Sequence, residues 1–183
     1  MGDQAPADET DEGPLAMTRS AGRIAAVVAA LAIVLFWAWV FSGAPKRDNP
    51  DLLEDRAYAA QLEERCQGLR DDLAALPSAI AIDDPGERAD VLEDANVLVE
   101  EFVDDLEAGA PTEGDASRTM EGWIADWRTY LANRQDYAQR LREDPDARLL
   151  LDESPLGDPV DKTIEVFSDV NAIEACATPG DVG

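Results

Sequence analysis

Between Ile24 and Phe41 the chain reads IAAVVAALAIVLFWAWVF, eighteen residues without a charge or a strongly polar side chain. At about 1.5 Å per helical residue this stretch reaches about 27 Å, close to the ~30 Å hydrocarbon core of a bilayer. A helix also pairs its own backbone groups, as a chain in lipid must. A helix of a small soluble domain would carry a polar face, and none interrupts this run, which disfavours a buried soluble helix. A cleaved signal peptide has a shorter apolar region of about 7–15 residues. The nearest small-residue site here, Ser42-Gly43-Ala44, is followed by Pro45, which hinders cleavage. The favoured expectation is therefore an uncleaved transmembrane helix over residues 22–42, crossing the lipid bilayer once. Trp37 and Trp39 stand at its C-terminal end, where amphipathic rings prefer headgroup depth.

That span divides the chain. Residues 1–21 hold five acids and two prolines and read as a disordered acidic tail; 43–49 read as a linker, and 50–183 as one acidic helical domain. The start Met-Gly-Asp lacks the Ser or Thr of a myristoylation signal at the sixth position, where Pro6 stands. Orientation is not decided by flanking charge, because Arg19 and Arg23 on one side balance Lys46 and Arg47 on the other. Ala25 with Ala29, and Gly22, Ala26 and Ala30, form rows of small residues that would let two helices approach as a homodimer. The competing explanation is that alanine is common here.

Residues 48–183 hold 35 of the 40 Asp and Glu and 11 of the 15 Lys and Arg, a net charge of about −24. Such a surface repels nucleic acid and anionic lipid, so no nucleic-acid partner is expected. The chain has no histidine. This removes Ser-His-Asp and Cys-His nucleophile pairs, His-ligated zinc and the usual neutral-pH general base.

Helical periodicity organises the domain. Asn49 and Pro50 are the expected start of a first helix, whose stripe is Tyr58, Leu62, Cys66, Leu69, Leu73 and Leu76, ended by Pro77. The segment PSAIAIDD is expected to lie across the bundle. Asp84-Pro85-Gly86-Glu87 predicts the cap of a second helix that buries Leu92, Ala95, Val99, Phe102 and Leu106 and stops at Gly109. A third, from about Ser117 to Arg142, carries Met120, Trp123, Trp127, Tyr130, Arg134, Tyr137 and Leu141 at gaps of 3, 4, 3, 4, 3 and 4. This aromatic stripe reads as core. Arg134 inside it either packs its stem and sends its head to water, or is buried against a carboxylate or carbonyls. Asp144-Pro145 closes that helix, residues 147–152 look extended, and Asp158-Pro159 open a short last helix bearing Val160, Ile164, Phe167 and Val170. The predicted fold is all-α: an N-terminal transmembrane helix, then an antiparallel bundle of about three long helices plus one short C-terminal helix.

Cys66 lies on the first stripe and Cys176 in the tail after the last helix. Two cysteines beyond a membrane span read as one disulfide if that side is oxidising, and the domain is then extracytoplasmic with a cytoplasmic N-terminus. The alternative is two free thiols in the cytosol. With the disulfide absent, a tail of small residues would have little reason to stay docked.

Two segments carry a resemblance: W-x3-W-x2-Y-x3-R-x2-Y-A-x2-L-R, from Trp123 to Arg142, and the ending A-C-A-T-P-G-D, Ala175 to Asp181. In these the chain resembles a group of actinobacterial single-pass membrane proteins with a helical extracytoplasmic domain. The resemblance implies the topology and brings no activity with it.

The functional expectation is a membrane-anchored, non-catalytic extracytoplasmic module with a protein-interaction or accessory role in the cell envelope, its partner an envelope or membrane protein. No catalytic, cofactor or metal residues are assigned. The alternative is a Ca or Mg binding module, because carboxylates cluster at Asp83-Asp84, Glu100-Glu101, Asp104-Asp105 and Glu143-Asp144, although none lies in a D-x-[DN]-x-[DN]-G loop. The same acid pairs give no specific sign of a glycosidase, whose catalytic pair is defined by separation in space.

Overall fold

A computed structural model describes residues 15–42, 49–155 and 157–181. Contacts divide the chain into two units, Met1–Asp48 and Asn49–Gly183. The first contains helix α1 (Leu15–Phe41), of which Gly22–Phe41 has a mean hydropathy of 2.7 and is long and apolar enough to cross a membrane. The helix starts at Leu15, before the expected Gly22. Leu15, Ala16 and Met17 favour helix, and the nearest upstream breaker is Pro14. The rest of the expected tail, residues 1–14, and linker residues 43–48, with Lys46 and Arg47, lie outside the described residues.

In the second unit the described residues form α2 (Arg56–Ala75), α3 (Pro85–Ala108), α4 (Gly114–Glu143) and α5 (Val160–Asn171), with 3-10 turns at Ala79–Ala81 and Glu174–Cys176. No strand forms among them; Glu153 and Pro159 make an isolated bridge. The unit is the expected bundle of three long helices and one short one. Short links join the long helices, which is how sequential helices come to pack antiparallel.

Two expected helix starts move. Asn49 and Pro50 begin a turn, in which the Asn49 side chain accepts the Asp51 N–H at 3.0 Å, and α2 begins six residues later. Asp55 is its cap, accepting the N–H groups of Ala57 and Tyr58 at 2.9 and 3.1 Å. The turn wins because it buries Leu53, whose N–H donates to Asn171 Oδ1 at 2.8 Å. The start of α5 is capped by Pro159 rather than Asp158, with no side-chain hydrogen bond. The cap at α3 is as expected, Asp84 Oδ1 accepting the Glu87 N–H at 2.9 Å. At its other end Gly109 leaves room for Arg65, whose guanidinium donates to the Asp105 carbonyl at 3.1 Å; a Cβ at Gly109 would strike it.

All seven stripe residues of α4 are buried. Trp123 stacks on Phe167 at 4.5 Å between centroids, and Trp127 meets Phe102 edge-on at 5.2 Å. The indole N–H groups of both tryptophans are buried without a partner. Burying about 200 Å² of aromatic surface returns about 5 kcal/mol, more than the about 1–3 kcal/mol that an unmatched donor costs, so packing decides the placement. A second cluster joins Ala79, Ala89, Leu92, Tyr137, Ala138 and Leu141 at the far end of α4.

Candidate functional site

The segment after α5 is where the chain does something its helical periodicity does not announce. Ala172, at φ 54°, ends α5 in the left-handed region and turns the chain back across α2. For a residue with a Cβ this conformation costs on the order of 1 kcal/mol or more, so the surrounding contacts must hold it. They begin at once: Ile173 is buried, and Asn171 donates to the Asp51 carbonyl at 2.8 Å while Arg56 donates to the Asn171 carbonyl at 2.5 Å.

Three residues of α2, spaced at helical intervals, then grip the tail. Glu63 accepts the Ala175 N–H at 3.1 Å. Cys66 is disulfide-bonded to Cys176, with a Cα separation of 5.0 Å. Arg70 donates from Nε to the Ala175 carbonyl at 2.6 Å and from Nη2 to the Ala177 carbonyl at 3.1 Å. One face of one helix thus supplies a carboxylate, a covalent bond and a guanidinium to a strap that opens with the 3-10 turn Glu174–Cys176.

The strap ends on α4. Pro179 is buried, and its carbonyl accepts the Tyr130 hydroxyl at 3.4 Å. Arg134, with no exposed surface, donates from Nη1 and Nη2 to the two carboxylate oxygens of Asp181 at 2.6 and 2.7 Å, and from Nε to Asn96 Oδ1 at 2.7 Å. A planar guanidinium matched to both oxygens of a carboxylate is the geometry in which a buried ion pair offsets its desolvation. Burial alone would lower the Arg134 pKa, but the hydrogen bonds and charge of Asp181 outweigh it and raise the pKa. Burial raises the Tyr130 pKa too, against the opposing charge of Arg134. Of the two readings of Arg134 open in the sequence, the structure selects the buried one with a carboxylate partner.

Beside this strap lies an open-sided groove of about 350 Å³. Its walls are the end of α2 with residues 76–80, the face of α3 bearing Val91, Leu92 and Ala95, and Pro179–Asp181 of the strap. The strap is therefore one wall of the groove, and the Arg134–Asp181 pair braces that wall from inside.

The expected site residues divide as follows. Trp123, Trp127 and Tyr137 are core; Tyr130 and Arg134 are core on one side and strap contacts on the other. Cys66 and Cys176 are joined. Sequence reasoning missed Glu63, Arg70, Asn96 and Asp181. The ending A-C-A-T-P-G-D pointed at the segment, but nothing in its spacing pointed to Arg134. The expectation that the strap depends on the disulfide is corrected: Glu63, Arg70, Tyr130 and Arg134 hold it as well.

The acid pairs are dispersed. Asp84 caps α3, and Asp104 joins Glu107 on Arg128 at 2.6 and 2.7 Å. Arg142 likewise meets Asp90 and Glu93 at 2.6 and 2.7 Å. Among the described residues no three His, Cys, Asp or Glu side chains come together as a metal site.

Asp126 on α4 stands apart. Burial raises its pKa, a hydrogen bond with Thr163 opposes the rise, and the charge of Asp51 adds to it. A raised folded-state pKa means a contribution to stability that is present below the ordinary Asp range and lost as pH rises through the raised value. Asp126→Asn is expected to raise the melting temperature at neutral pH by a few degrees, a gain that vanishes by about pH 3 where the aspartate is itself neutral. Circular dichroism melts of both proteins across that range check this; a gain that persists in acid would place its cause elsewhere.

No protein family, curated protein or solved structure matches this chain.

Proposed function

We propose that this is a single-pass membrane protein, related to the actinobacterial group it resembles, whose α1 anchors a non-catalytic helical module on the extracytoplasmic side, where it binds an envelope or membrane protein. The observation that carries the reading is the pairing of one apolar helix with a disulfide in the unit that follows it. Disulfides persist in oxidising compartments and are rare in the cytosol. With the flanking charges balanced, the bond is what supports the proposed orientation, with the N-terminus in the cytoplasm and the bundle outside. The acidic surface keeps the bundle soluble and away from anionic headgroups. The absence of histidine from the sequence removes the commonest acid–base and nucleophilic machinery. The groove walled by the strap is the proposed interaction site.

Topology is tested with a reporter, because both native sulfurs are buried. Glu100→Cys places a thiol on the exposed side of α3. A membrane-impermeant maleimide is expected to label this variant in intact cells. The native pair, alkylated during denaturation, is expected to react only after reduction. Labelling confined to lysed cells, with both native thiols free, would put the bundle in the cytosol and remove the basis of the proposal.

A further inference from the structure

We propose that the groove beside the strap receives the C-terminal residue of a partner peptide, its apolar side chain in the groove and its carboxylate on Arg70. The walls are largely aliphatic, with Leu73, Leu76 and Val91 partly buried and Ile80 56% exposed at the rim. Ligand sites run from about 300 to 1,000 Å³, so a groove of about 350 Å³ holds one or two side chains and excludes a packed helix.

Charge then selects the occupant. Two ionic side chains line the groove, Arg70 and Asp181. The Asp181 carboxylate is matched by Arg134. Arg70 makes its hydrogen bonds to the carbonyls of Ala175 and Ala177, which carry no charge, and no carboxylate among the described residues forms an ion pair with it. A guanidinium carries five N–H donors, so about three remain for a further acceptor. Arg56, Arg65 and Arg88 also bond to carbonyls, but none of them lines the groove. The groove thus offers an apolar surface and one positive charge without a carboxylate partner among the described residues, inside a strongly acidic domain. At physiological ionic strength charges more than about 8 Å away are largely screened; of the nearer acids, Asp181 is matched by Arg134 and Glu63 accepts the Ala175 N–H. A C-terminal residue brings an apolar side chain and a carboxylate on the same unit, which matches both features.

This rests on the interaction-module reading in that it names what the module takes, but its test is independent of topology. The full chain is placed in phosphatidylcholine nanodiscs and titrated, by fluorescence polarisation, with a dye-labelled pentapeptide ending in Ala-Leu with a free carboxylate. Saturable binding is expected, with the C-terminal amide of the same peptide at least about tenfold weaker. Ile80→Lys should tighten the free acid several-fold and Ile80→Glu weaken it, because both substitutions sit on the exposed rim and leave the strap contacts in place. Acid and amide binding equally, both Ile80 variants moving in one direction, or no saturation by about 1 mM would each overturn the proposal. None of these outcomes bears on the maleimide result, and a cytosolic bundle would leave the titration unchanged.

Discussion

Asp181→Ala is expected to destabilise the bundle by about 3–5 kcal/mol, the cost of leaving a buried charge without its partner. The magnitude follows from asymmetric burial: the Arg134 side chain has no exposed surface, whereas Asp181 keeps 26% of its side chain exposed on the groove. Once Asp181 is gone the guanidinium retains Asn96 and loses both carboxylate oxygens. The reverse change, Arg134→Met, should cost less for the charge it leaves, since the Asp181 carboxylate can be hydrated from the groove. It does strip Asn96 Oδ1 of its donor, worth about 1–3 kcal/mol. The double variant should be no less stable than Arg134→Met alone, because no charge is then stranded. Arg134→Lys should not restore the pair, as an ammonium cannot fork to both oxygens. Urea unfolding of the full chain in detergent, with the disulfide intact, orders the four proteins. A loss below about 1 kcal/mol for Asp181→Ala would mean that Arg134 reaches water by a route the fold does not display.

Loss of the disulfide, by Cys66→Ala with Cys176→Ala, is expected to cost about 2–4 kcal/mol. Chain entropy for a closure of about 100 residues would allow about 4.7 kcal/mol, and the sequence separation here is 110. The lower figure is expected because measured disulfide contributions usually fall short of the chain-entropy value; the strap itself stays docked through Glu63, Arg70, Tyr130 and Arg134. Adding Asp181→Ala to the cysteine-free protein removes the second anchor. The strap then leaves, Arg134 gains water, and the combined cost falls short of the sum by about 1 kcal/mol or more. Carboxypeptidase digestion followed by mass reports docking directly. Residues up to Asp181 should be protected in the cysteine-free parent, residues up to Cys176 in Asp181→Ala, and both should be trimmed in the combination. Trimming past Asp181 in the cysteine-free parent would show that the disulfide alone holds the strap.

Much of the bundle was legible because its signals are local. The stripes on α2, α3 and α4 repeat within one or two turns, and a helix that must bury one face writes that face at 3.6-residue spacing. The Asp84 cap and the Gly109 stop are likewise settled within a few residues. The start of α2 was misread for the converse reason. Asn49-Pro50 is locally a sound helix opening, yet burial of Leu53 and its bond to Asn171, 118 residues away, favours a turn there. Arg134 marks the same boundary within a single side chain. Its place in an apolar stripe was visible, but which of its two fates it met was not.

The sequence by itself determined an apolar helix, an acidic helical bundle, the faces that form its core and the two cysteines free to pair, because these follow from composition and short-range period. Only the tertiary structure decided that α2 grips the strap with Glu63, Cys66 and Arg70, that Asp181 closes on Arg134, and that a groove lined by Arg70 results. Those contacts join residues 47 to 112 positions apart. No periodicity links such partners; they meet because the aromatic stripe of α4 presents Tyr130 and Arg134 to Pro179 and Asp181 of the strap.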